Sequence, residues 1–83
     1  MITKVLNKDK ISNIDKVKKK FNIFRAILIK SEQDIRSVEF MTKNGVFRGF
    51  GKSTKEAYKN AKKVIKNYYK NQEDYQSFRY LNL

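Results

Sequence analysis

Three glycines, Gly45, Gly49 and Gly51, fall within seven residues of a chain that contains no proline. Backbone freedom is concentrated in that one zone, so the tightest bend of the fold belongs there. The segment that follows carries the clearest periodicity. Placed on a helix at about 100° per residue, residues 53–70 gather Ala57, Ala61, Val64, Ile65 and Tyr68 on one side. Lys55, Lys59, Lys62 and Lys66 form a stripe on the opposite side. Ser53 stands where an N-cap belongs, and Glu56 three residues later completes a capping box. The small Ala57 and Ala61 at the start of the apolar face imply close approach to a sheet.

Upstream of the glycines, Ile11, Ile14, Val17 and Phe21 recur at helical spacing, with Lys16, Lys18, Lys19 and Lys20 filling the other side. The spacing predicts a helix from about residue 10 to 20, capped by Ser12 with Asp15 or by Asp9 one turn earlier. NIFRAILIKS is short, continuous and rich in β-formers, so a central strand is expected from about 23 to 30. SEQD is a polar turn. IRSVEFMTK alternates as a second strand, with Arg36, Val38, Phe40 and Thr42 on one face. KNG supplies hairpin chemistry, and VFRGF is a third strand. The expected fold is α+β, in the order α-β-β-β-α, with a three-stranded antiparallel sheet and both helices packed on one face. Residues 1–70 form the domain. Residues 71–83 form an aromatic tail whose Tyr75, Phe78, Tyr80, Leu81 and Leu83 either extend the helix, lie against the sheet or meet a partner.

Charge narrows the function classes. The 83 residues carry 20 Lys and Arg against 8 Asp and Glu, a net charge of +12. Sixteen Lys, eight Asn and eight Ile mark an AT-rich genome, yet codon bias does not explain the shortage of acids. A polyanionic partner is expected, nucleic acid before anionic membrane. The absence of Cys and His excludes thiol nucleophiles, disulfides, zinc sites and imidazole acid–base chemistry. No cofactor and no small-molecule substrate are expected, and no metal-ligand cluster accompanies Glu39 and Glu56 as an acid–base pair. The opening MITKVLNKDK has no apolar run and no segment approaches a membrane span, so cytoplasm is the default location.

GKST, residues 51–54, resembles the end of a phosphate loop, but that loop requires a glycine five residues before Gly51, where Val46 stands; Gly45 misses by one. A nucleotide hydrolase also needs a parallel α/β sheet and a magnesium-binding carboxylate, which do not fit in this length.

GFGKSTKEAYKNA instead resembles the signature of the double-stranded RNA-binding domain, in which Gly-x-Gly-x-Ser ends the third strand and opens the last helix. Gly49, Gly51, Ser53, Ala57 and Ala61 fall at that family's spacing, and the resemblance covers roughly residues 8–70. It implies that the start of the last helix bridges phosphates across the RNA major groove. The first helix and the loop between the first two strands would reach the flanking minor grooves, where 2′-hydroxyls tell RNA from DNA. By resemblance, Lys52 and Lys55 are phosphate contacts, with Ser53 and Thr54 at the helix start and Asn13 and Lys16 reachable on the first helix. Thr54 and Tyr58 occupy positions where the family usually has lysine, and Lys59 and Lys62 lie nearby as substitutes. The loop residues Ser31, Glu32, Gln33 and Asp34 depart from the family's Gly-Pro-x-His-like loop, being short and acidic.

Three other readings compete. An isolated basic domain of AT-rich composition suits a phage, virus or mobile-element inhibitor that acts on a host ribonucleoprotein or protein partner, with the tail as a homodimer contact. The Arm-type DNA-binding domain of tyrosine integrases has a similar GF-x-T-K-x-E-A run but lacks the leading helix. Antitoxins of the HicB kind share a T-x-E-A-like helix start but tend to be acidic.

Overall fold

The computed structural model describes the backbone of residues 2–81 and the side chains of residues 2–71. The elements run β1 (Ile2–Val5), α1 (Ile14–Lys20), β2 (Arg25–Lys30), β3 (Arg36–Thr42), β4 (Gly45–Gly51) and α2 (Thr54–Leu81). The sheet is antiparallel throughout, in the order β1-β2-β3-β4. This corrects the expected three strands and the α-β-β-β-α order: a strand precedes the first helix. The reason lies in β2. β3 pairs one edge of β2, and the other edge of this largely buried strand would leave a row of backbone N–H and C=O groups unpaired. β1 supplies the second neighbour, in a register from Ile2 opposite Lys30 to Val5 opposite Ile27. All four of its residues are exposed, which left no alternation for a sequence pattern to register.

α1 is shorter than expected. Asn13 occupies its N-cap with no side-chain capping bond, so neither Ser12 nor Asp9 caps it. The chain before it turns about Asn7, whose carbonyl accepts the amides of Lys10 and Ile11 at 3.1 and 3.0 Å. At the other end Asn22 takes φ +54°, a left-handed stop that asparagine tolerates. In the β3–β4 hairpin positive φ falls on Gly45, at +125°, while the Thr42 hydroxyl accepts the Asn44 amide at 3.1 Å.

α2 begins as expected. The Ser53 hydroxyl accepts the Glu56 amide at 3.1 Å, and the Ser53 carbonyl accepts the Ala57 amide at 3.0 Å. Its backbone stays helical to Leu81, so the tail extends the helix; the tail side chains beyond residue 71 lie outside the described residues.

One face of the sheet carries the core. Ile14 and Val17 of α1, and Ala57, Tyr58, Ala61 and Ile65 of α2, join Ala26, Leu28, Val38, Phe40 and Phe47 in a single buried cluster. Both helices therefore pack on the same side. The glycine zone makes that packing close: a Cβ on Gly49 would sit 2.1 Å from the Ala61 amide nitrogen, and one on Gly51 2.7 Å from that of Ala57. The glycines are thus strand residues against which the helix backbone lies. Two expectations for α2 need correction: Tyr58 is a core residue at 6 % exposure, whereas Val64 stands 42 % exposed. The core face of α2 is rotated toward α1 relative to the sequence pattern.

The far face of the sheet is uncovered. Val5, Val46 and Phe50 are more than half exposed there, around a Glu39–Arg48 ion pair of 3.2 Å. Among the described residues no helix is long and apolar enough to cross a membrane.

Candidate nucleic-acid interface

The rotation of α2 decides where its lysines point. With Tyr58 buried against α1, the stripe runs beside the core seam. Tyr58 fixes the arrangement: its ring meets Phe40 edge-on at 6.0 Å and its hydroxyl donates to Asn13 Oδ1 at 2.9 Å. Burial pushes the Tyr58 hydroxyl above its ordinary 10.0, so it stays a neutral donor at physiological pH. One turn further on, Lys62 Nζ lies 5.0 Å above the Tyr58 ring centroid. At the far end Tyr69 stacks on Phe21 at 5.8 Å and donates to its carbonyl at 3.2 Å, closing α2 onto the end of α1.

A trough of three hollows joined by shared residues runs from the groove between the two helices to the head of α2. The middle one is lined by Lys8, Asp9, Lys10, Lys55 and Tyr58. Asn13 is common to it and to the next, where Lys16 and Lys20 of α1 face Lys62 and Lys66 of α2 over a floor of Val17 and Phe21, with no carboxylate in the lining among the described residues. Lys10 is common to the middle hollow and to a third at the head of α2, lined by Lys4, Lys30, Arg36 and Thr54. From Thr54 to Lys66 the helix rises about 18 Å at 1.5 Å per residue. The i, i+4 spacing explains the alignment, since Lys16 and Lys20, like Lys62 and Lys66, repeat on one face of a helix.

The structure brings Lys55, Lys62, Lys16 and Asn13 together along this trough, with Thr54 at its head. Lys59 is exposed and lines none of the three hollows. Lys52 is also exposed; its carbonyl accepts Arg36 Nη1 at 2.7 Å, which pins the turn before α2. Ser53 is committed to the cap and Asn13 to Tyr58, so both act as joints of the scaffold. The sequence reading missed Lys20, Lys10, Lys4, Lys30 and Arg36. The spacing of Lys20 behind Lys16 was a usable signal. The others converge through the β1 pairing and carry no local pattern.

The acidic loop is less repellent than its composition implies. Asp34, at φ +61°, lies 3.6 Å from Lys30 and 3.4 Å from Arg36, so its charge is held by strand cations. Glu39 points to the far face and Glu56 sits in the first turn of α2, so the two do not form an acid–base pair. Tyr68 packs on Phe47 at 5.0 Å, so its ring, like that of Tyr69, is engaged with the core; the side chain of Tyr75 lies outside the described residues.

No family model, curated protein or solved structure matches the chain. The site therefore has to be read from its own chemistry.

Proposed function

We propose that the chain is a non-catalytic RNA-binding protein of the cytoplasm (or of a host's cytoplasm, if viral) that grips double-stranded or hairpin RNA by shape and phosphate charge. One observation carries the reading: lysines from two helices, Lys16 and Lys20 against Lys62 and Lys66, converge on one hollow that, among the described residues, has no carboxylate in its lining. Like charges brought together oppose folding, and a polyanion seated among them removes that cost. The resemblance of GFGKSTKEAYKNA to the double-stranded RNA-binding domain supports RNA over DNA, and α1 supplies the leading helix that the integrase Arm-type domain lacks. The added strand β1 departs from the family's pattern.

The test is a titration of RNA duplex, the same sequence as DNA duplex, and single-stranded RNA. A length of roughly 20 base pairs exceeds the ~16 that such domains span. RNA duplex should bind best, and Lys62→Glu with Lys66→Glu should weaken it at least tenfold, each lost charge-assisted contact being worth about 1.5–3 kcal/mol. Equal or better DNA binding would instead favour the integrase-like reading. A second reading, an inhibitory module that docks on a protein, is favoured by the exposure of Val5, Val46 and Phe50 on the far face. For that reading Phe50→Asp is the damaging change, and it should leave RNA affinity untouched under the first.

A further inference from the structure

The head of α2 carries a hollow that the RNA reading does not require. It is lined by Lys4 of β1, Lys10 of the turn after β1, Lys30 of β2, Arg36 of β3 and Thr54 of α2, with Ile2 and Leu28 as its apolar wall. Cations from four separate stretches of chain thus meet in one concavity. Asp34 is shared between Lys30 and Arg36, and among the described residues neither Lys4 nor Lys10 has a carboxylate within 4.0 Å. One carboxylate therefore serves two of the four cations. The guanidinium is also held in place, because Arg36 Nη1 donates to the Lys52 carbonyl at 2.7 Å and its side chain is only 23 % exposed. A pre-positioned guanidinium flanked by mobile ammonium groups suits a tetrahedral oxyanion with several acceptor oxygens. The strand that makes the hollow, β1, is the element absent from the expected fold, and its Lys4 reaches this face because the side chain lies on the helix side opposite Leu28.

We infer that this hollow is a phosphate-group site, built by Lys4, Lys10, Lys30 and Arg36. Its ligand is a phosphate presented by RNA, either a terminal monoester or one backbone diester that enters through the Lys10 end of the trough. The inference rests on the RNA reading for the source of the phosphate, and on the hollow alone for the chemistry.

The experiment separates the two. Amide resonances are followed by NMR while inorganic pyrophosphate is added to the full chain, then to a Lys4→Gln, Lys10→Gln variant. Both lysines are exposed, so the variant should melt with the parent protein. Shifts centred on residues 36 and 54 that disappear in the variant support the site whether or not RNA binds. Absent shifts there, or shifts unchanged in the variant, overturn it. The same pair is then titrated with RNA duplexes carrying 5′-phosphate or 5′-hydroxyl ends. About a tenfold loss confined to phosphorylated ends assigns the terminal monoester. An equal loss on both, with a shallower salt slope, assigns the backbone diester. Equal affinity of variant and parent for both duplexes overturns the site as part of RNA recognition. Failure of the parent to bind either duplex, with the pyrophosphate shifts intact, removes the RNA reading and leaves the oxyanion site standing.

Discussion

At the scale of single residues, Gly49 is the position with least latitude. Its missing Cβ is replaced by the backbone of α2, and the nearest atoms to an added methyl are Ala61 N, Ala57 O and Asn60 C, none of which can swing aside as a side chain would. Gly49→Ala should cost about 3 kcal/mol, the upper end for overpacking, against a total stability of roughly 4–12 kcal/mol for a chain of this size. A thermal melt followed by circular dichroism checks it; a variant that melts within a few degrees of the parent would mean that helix and strand are not in contact there. Tyr58 makes the second prediction. Because burial raises its ionisation above 10.0, the folded state keeps the phenolic proton to higher pH than the unfolded chain does. Its contribution is intact below that value and is lost as pH rises through the folded one. Melts between about pH 9 and 11 should therefore fall more steeply for the parent than for Tyr58→Phe. The variant starts about 1 kcal/mol lower for want of the bond to Asn13.

At the scale of elements, α2 is both the core seam and the lysine rank, and its start is set by Ser53. Ser53→Ala removes the acceptor of the Glu56 amide and should cost about 1 kcal/mol, a drop of roughly 4–8 °C for a domain of this size. Ser53→Asp restores the cap and the melting temperature. The added carboxylate sits beside Lys52 and Thr54, so it should still weaken RNA binding, separating stability from recognition in one pair of variants. How much of this was legible follows from the kind of information each element carries. The cap, the small Ala57 and Ala61 against the sheet and the faces of β3 were readable because each depends on residues a few positions apart. The glycines, by contrast, read as a bend and not as the strand surface those alanines meet. The α1–α2 trough was half readable: the spacing gave the α2 row and Lys16 of the α1 row, but their facing depends on Tyr58 entering the core, and a tyrosine in a run of lysines does not announce that. β1 was not readable at all, since four exposed residues acquire strand geometry only from the needs of a partner some 25 positions away.

At the scale of the whole molecule, the charge is sorted by face. The trough and the head of α2 lie on the helix side, while the far face pairs Arg48 with Glu39 and presents Val5, Val46 and Phe50. A ligand held by the helix side alone should show counterion release as its signature. If the trough engages six or more phosphates, duplex affinity should fall by about a thousandfold or more between roughly 50 and 200 mM salt. Fluorescence anisotropy on a labelled duplex measures the slope, and a flat response would assign the affinity to contacts other than phosphate. The far edge of the sheet is guarded as well: Asn60 Nδ2 donates to the Phe50 carbonyl at 2.7 Å, so α2 occupies an acceptor on β4 that another strand would need.

The clearance at Gly49 has a corollary for descent. Cations on an exposed helix flank can be traded between neighbouring positions, because charge acts at a distance and forgives small displacements. A hydrogen that stands in for a methyl forgives none, so any enlargement there demands that the opposing helix retreat in the same step. Kin of this chain should be recognised by that matched pair of small residues long after their lysines have wandered.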